Sequence, residues 1–129
     1  MPNTAITTIA ATINAGKVST ATAATVDTAG DAEVFDITPV RDSGFYIEIN
    51  NVSTANGTVT YSLAIGDSYA APAAALTGSV AQGVSAIVCP ESAKYKKGGK
   101  FVLTITPASG KKLKTDHTLT VKAVNLPKG

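Results

Sequence analysis

Tryptophan is absent from this chain of 129 residues, cysteine and histidine occur once each, and only 16% of the side chains are charged and 5% aromatic. The single cysteine, Cys89, excludes an intramolecular disulfide, which fits synthesis in a reducing compartment. One histidine and one cysteine, far apart in sequence, cannot supply a zinc set without several carboxylates, and no ligand spacing appears. No metal and no cofactor is therefore expected. No uncharged apolar run approaches the ~20 residues that a membrane helix needs. The amino terminus, MPNTAITTIAATINAG, has neither a basic leading region nor a continuous apolar core, so no signal peptide is expected. These absences describe a soluble protein with no membrane partner. Also missing is the 3.6-residue spacing of Leu, Glu and Lys that marks amphipathic helices.

What is present is Ala, Thr, Val and Ile in alternation. Branching at Cβ stiffens the side chain and suits an extended, pleated backbone. Glu33–Thr38 (EVFDIT) sets Phe35 and Ile37 against Val34 and Asp36, and Gly44–Asn50 (GFYIEIN) sets Phe45, Ile47 and Ile49 against Tyr46, Glu48 and Asn50. Thr58–Ile65 aligns Val59, Tyr61, Leu63 and Ile65, and Asn56-Gly57 before it is a strong tight-turn pair. These last two segments are expected to form an antiparallel pair. Residues 66–83 read as a loop of small residues, with a short strand or helical turn near Ala73–Leu76. Val84–Cys89 reads as a short buried strand ended by Pro90, which has no N–H for a ladder. Cys89 is expected to be a small buried hydrophobe. Lys100–Thr106 aligns Phe101, Leu103 and Ile105, and Asp116–Asn125 aligns Leu119, Val121 and Ala123. Six to eight short strands with regular turn signals predict an all-β domain, an antiparallel β-sandwich or barrel of jelly-roll or immunoglobulin-like layering. The length fits one domain.

The two ends of the chain differ from this core and from each other. Residues 1–26 form a Thr/Ala-rich extended segment with Lys17 as its single charged side chain, and Asn14-Ala15-Gly16 marks a turn within it. Edge segments of this kind invite pairing with another chain. The segment Pro2–Ile13, with Thr4, Ile6, Ile9 and Ile13 as its contact residues, is read as an arm that pairs with a neighbour, against the alternative of an ordinary first strand. The single β-domain then spans 27–129. The overall charge of +2 hides a split: residues 1–90 sum to −5 and residues 91–129 to +7. Lys94, Lys96, Lys97 and Lys100 surround Gly98-Gly99, and Lys111, Lys112 and Lys114 follow Gly110. With almost no Arg and only Tyr95 and Phe101 interleaved, these lysines do not read as a nucleic-acid surface. They read as a solvated face or a contact to an acidic protein partner.

Catalytic motifs are weak. Gly66-Asp67-Ser68 is similar to the nucleophile block of one family of serine esterases, and Asp116-His117 offers an acid and a base. Adjacent residues of a strand point to opposite faces, so that pair is not expected to relay a proton to Ser68. A Gly-Asp-Ser turn is the expected use of the first motif. The acids Asp27, Asp31, Glu33 and Asp36 lack a calcium-loop pattern, and Gly98-Gly99-Lys100 and Gly110-Lys111-Lys112 lack phosphate-loop spacing and read as hairpin turns. The chain is not expected to be an enzyme.

One stretch carries a resemblance. A small-residue loop with Gly83, the apolar VSAIV, then Pro90-Glu91-Ser92-Ala93-Lys94-Tyr95, a polar Gly turn and the extended VLTIT follow one another. This order resembles small virion proteins of tailed bacteriophages, whose Gly-Pro-hydrophobic-Glu-Ser-Ala-Arg-Phe block precedes a charged Gly turn and a strand. Here Cys-Pro stands for Gly-Pro, Lys94-Tyr95 for Arg-Phe, and nothing separates Pro90 from Glu91. The resemblance implies a head decoration or auxiliary protein located on the virion. Its partners would be the major capsid protein or other virion subunits, with homo-oligomers allowed. The alternative is an immunoglobulin-like adhesion module contacting host glycans, which would set Tyr46, Tyr69 and Tyr95 on one face.

Overall fold

In the computed structural model, which describes residues 3–127, the alternating segments become strands that each bury one face. β4 (Glu33–Thr38) buries Phe35 and Ile37, β5 (Phe45–Asn51) buries Phe45, Ile47 and Ile49, β10 (Lys100–Thr106) buries Phe101, Leu103 and Ile105, and β11 (Leu119–Asn125) buries Leu119, Val121 and Ala123. Fully burying one such Ile, Leu or Phe is worth about 1.5–3 kcal/mol, so each strand is driven to lay its apolar face on another layer. Two sheets result. One runs β1 (Thr4–Thr7), β4, β10, β6 (Val59–Leu63), β7 (Leu76–Val80), with β9 (Lys96–Lys97) also paired to β10. The other runs β2 (Ile9–Ala10), β11, β5, β8 (Val84–Val88), with β3 (Thr22–Ala23) also paired to β11. Phe45 and Phe101 stack across the layers with ring centroids 5.1 Å apart. Among the described residues helix is confined to one turn, α1 (Ser92–Tyr95). Among the described residues no helix is long and apolar enough to cross a membrane.

The fold is thus the expected β-sandwich, but several local expectations are corrected. β5 and β6 do not pair: β5 lies between β11 and β8, while β6 lies between β10 and β7 in the opposite layer. Asn56 and Gly57 do take positive φ, 88° and 89°. They serve a connection that crosses between layers, and β5 and β6 each lay their apolar face on the shared core. Gly110-Lys111-Lys112 is likewise a turn inside a crossing from β10 to β11, not a hairpin. Gly98-Gly99 is one: Lys97 pairs with Lys100, and both glycines have the positive φ that a two-residue hairpin loop demands.

The amino-terminal segment is not a projecting arm. β1 runs parallel to β4 in one sheet, and β2 runs parallel to β11 in the other, so the chain changes layers at Thr8. These two parallel pairs make both sheets mixed. Ile6 sits in the core at 4% exposure. Pro2, the start of the expected arm, lies outside the described residues. The later segment 17–26 contributes only β3, and residues 12–21 are exposed.

The reading of Val84–Cys89 as buried also fails. β8 is an edge strand in which Val84 and Ile87 are 48% and 63% exposed, and Cys89, just beyond Val88, is exposed. Alternation explains it: Val88 points into the core, so Ile87 and Cys89 point out. Finally, Asp116 and His117 precede β11 and lie in a turn, with His117 fully buried.

Candidate functional site

Strand β10 sorts the lysines. Lys94–Lys100 lie at its start and Lys111–Lys114 beyond its end, so its seven residues hold the two groups roughly 20 Å apart at ~3.3 Å per residue. The expectation of one basic surface becomes two separate ones.

At the first end, Glu91–Lys97 passes over Gly66. The Gly66 N–H donates to Lys94 O at 2.7 Å and Asp67 N–H to Lys96 O at 3.4 Å. A Cβ on Gly66 would stand 2.7 Å from Lys96 O and 3.0 Å from Lys94 O, both backbone atoms, so only glycine permits this approach. The Asp67 carboxylate accepts from the Gly98 N–H at 3.0 Å and fixes the hairpin loop. Three of the four lysines here already have carboxylate partners: Lys94 with Glu91 at 3.6 Å, Lys96 with Asp42 at 2.7 Å and Lys100 with Asp36 at 3.0 Å. The Lys96 hydrogen bond, followed by that from Ser92, holds the Asp42 carboxyl below its usual range. Lys97 is exposed and, among the described residues, has no carboxylate within 4 Å.

At the second end the backbone of Lys111–Lys114 is anchored and its side-chain ammonium groups are not. Lys111 O accepts from Gly30 N–H at 2.9 Å, Lys114 N–H donates to Val26 O at 3.1 Å, and Lys112 N–H donates to the Asp116 carboxylate at 2.8 Å. None of the three ammonium groups makes an ion pair among the described residues. The Thr115 hydroxyl donates to Asp27 at 2.7 Å and, against desolvation and with help from Lys112 and Lys114, holds that carboxyl below its usual range. Beneath this loop His117 and Asn51 form a buried pair, Nδ1 to Oδ1, at 3.1 Å. His117 Nε2 accepts from the Ala108 N–H at 3.1 Å, so the hydrogen sits on Nδ1 and the ring is neutral. The Asn51 amide donates to Gly57 O and Val80 O at 3.0 and 3.1 Å. Every polar atom of the pair is used. Burial pushes the His117 pKa down from 6.5, because a charged ring has no water there.

These contacts also separate the esterase-like residues. Asp67 and Ser68 belong to the first end, where the Ser68 hydroxyl accepts from Ala70 N–H at 3.2 Å. His117 belongs to the second end, buried and committed to Asn51 and Ala108. No hydrogen bond joins them. The three tyrosines do not share a face either: Tyr46 lies on the outer side of β5, Tyr69 stands fully exposed on the β6–β7 loop, and Tyr95 packs against the core.

The proposed arm contacts are dispersed as well. The Thr4 hydroxyl donates to Glu33 at 2.7 Å, Ile6 is core, Ile9 is half-buried beside Val124, and Ile13 is 57% exposed. Glu33 itself was not foreseen as a clip. It is 3% exposed and also accepts from Thr25 N–H at 2.8 Å, Thr25 Oγ1 at 3.2 Å and Val26 N–H at 2.9 Å, tying β1 and residues 25–26 to β4. A recess of about 250 Å³ beside it is lined by Thr4, Thr25 and Asp31. The Glu33 oxygens are already occupied, so the recess offers little to a ligand. Asn125 is the other unforeseen clip: its amide bonds Val40 N–H, Arg41 O and Ser43 O at 2.8–3.1 Å. Its only sequence signal is a polar residue in the inward register of β11. Among the described residues no group of three metal-ligating side chains converges. Comparison of the chain with protein-family models, with curated proteins and with solved structures found no match.

Proposed function

We propose that this chain is a non-enzymatic structural virion protein, a head decoration or auxiliary protein that binds and stabilises a capsid lattice. The observation that carries the reading is the division of the lysines. Lys94, Lys96 and Lys100 are engaged by carboxylates of the same domain, whereas Lys111, Lys112 and Lys114, on one anchored loop, have no carboxylate within 4 Å among the described residues. Such a loop presents three cations from an anchored backbone to an acidic surface, so that contact orders their side chains and not the main chain. The Pro90–Tyr95 block that resembles phage virion proteins serves as architecture, locking the crossing over Gly66. Contact through the Lys111–Lys114 loop replaces the arm as the primary attachment. Nothing comparable supports the glycan-binding alternative, because the tyrosines point in different directions.

The test is co-sedimentation of the purified chain with phage capsids stripped of decoration. Binding should weaken as salt rises, since the Debye length falls from about 10 Å at 0.1 M to about 3 Å at 1 M. Lys111→Glu/Lys112→Glu/Lys114→Glu should abolish it, while Lys94→Glu/Lys97→Glu should not. Equal binding by both variants and wild type, or no binding at all, overturns the proposal.

A further inference from the structure

We propose that the β8 edge is a self-association surface, through which two copies of this chain join sheets across a two-fold axis. The inference is independent of the virion reading. From Ser68 to Pro90 no side chain carries a charge, and this stretch contains both β7 and β8, the two strands that end their sheets on the same side of the sandwich. An edge strand leaves alternate N–H and C=O groups unpaired, and proteins normally guard it with charge, proline, a bulge or extreme shortness. β8 has none of these: its five residues pair with β5 in an unbroken register from Val84↔Asn51 to Val88↔Ile47. The opposite edge is guarded, because β2 and β3 have two residues each, and beside β1 the Asp36 carboxylate holds Asn3 and Lys100.

The occupant that fits is a second copy. A dyad through Ala86 makes an antiparallel pair in which Ala86 meets Ala86, Val84 meets Val88 and Ser85 meets Ile87 of the second copy. Self-pairing sets a strand against its own charges, so a charged β8 would repel its copy, and an uncharged one does not. The half-exposed Val84 gains Val88 as its direct partner, and Ile87, 63% exposed, gains Ile87 of the second copy as a diagonal neighbour. The same axis, normal to both layers, brings the two β7 edges toward one another, and these are also uncharged. A single foreign strand would satisfy β8 and leave β7 open. A second sandwich supplies both layers at matching height. Five paired residues a side with flanking contacts fall short of the roughly 1,200 Å² of a standard interface, so the dimer is expected to be weak, with Kd on the order of micromolar or above.

Sedimentation equilibrium of the full chain, in reductant so that Cys89 cannot cross-link, should show a shift from monomer to dimer mass between about 1 μM and 1 mM, the range set by that affinity. Ile87→Lys, at an exposed position, should remove the dimer and leave the far-UV circular dichroism and Tm unchanged. For the register, Ser85→Cys and Ile87→Cys are made separately in a Cys89→Ser background. Mixed and mildly oxidised, they should form a disulfide-linked dimer faster than either alone. A monomer throughout, a dimer unaffected by Ile87→Lys, or equal cross-linking of each variant alone would overturn the proposal.

Discussion

The two ends of the sandwich are held by different chemistry. At the His117 end, side chains do the holding: one neutral imidazole and one amide join β5 to the loop before β6, to the last residue of β7 and to the loop after β10. At the Gly66 end, main chain meets main chain, and the decisive side chain is the one that is absent. A buried polar pair is valuable only while every member is satisfied, and its loss leaves orphaned groups in a dry core. A close backbone approach is indifferent to pH and to polar chemistry, and intolerant of volume. The two ends should therefore fail differently.

The largest effect is expected at the polar end. Asn51→Ala strips the partners from Gly57 O, Val80 O and His117 Nδ1–H at once, and should cost about 3–5 kcal/mol in urea unfolding. A loss below 1 kcal/mol would mean that water replaces the amide. At the other end, Gly66→Ala should cost roughly 2–3 kcal/mol by overpacking against Lys96 O. Gly99→Ala, with φ of 81° but nothing near its Cβ, should cost only about 1 kcal/mol. Equal values for the two glycines would show that conformation, not contact, governs the hairpin end.

The ends should also part with pH. The His117 pKa is lowered in the folded state, so the unfolded chain binds the extra proton first. Its contribution to stability is complete above the unfolded value of about 6.5 and is lost as pH falls from there through the folded value. Denaturation midpoints measured from pH 8 to 5 should decline in wild type, and His117→Gln should flatten that part of the profile. A slope unchanged in His117→Gln would assign it to another group. The smallest effect is expected from Lys96→Ala, which removes an exposed ion pair with Asp42. Thermal stability should hardly move, while the Asp42 carboxyl, followed by NMR titration, should rise toward 3.8.

Much of the fold was legible because strand periodicity reports burial directly. Of the residues aligned on the apolar faces, Phe45, Ile47, Ile49, Val59, Leu63, Phe101, Leu103, Ile105, Leu119 and Val121 are buried and Tyr61 partly so, while Ile65, beyond the end of β6, is 41% exposed. Tyr61 lies over Gly78 of β7, where any Cβ would strike its ring. The site was less legible. The lysines were visible as a run, but their division required knowing that Asp36 and Asp42 fold back onto Lys100 and Lys96. His117 and Asn51 lie 66 residues apart, and no local pattern links a histidine in a turn to an amide in a strand.

What the amino-acid sequence determined by itself is what neighbours along the chain can determine: which segments extend, which face of each is apolar, where Gly98-Gly99 reverses direction and where Pro90 stops a strand. Tertiary structure alone decided partnership. β5 and β6 each have one apolar face and are joined by a turn-forming Asn-Gly, which suits a hairpin and a crossing equally. Apolar burial is non-directional, so alternation says that a face must be covered and not by which strand. The choice fell to the packing of two layers. It carried β1 and β2 into separate sheets, buried His117 beneath a basic loop, and left β8, an apolar sequence, exposed at an edge.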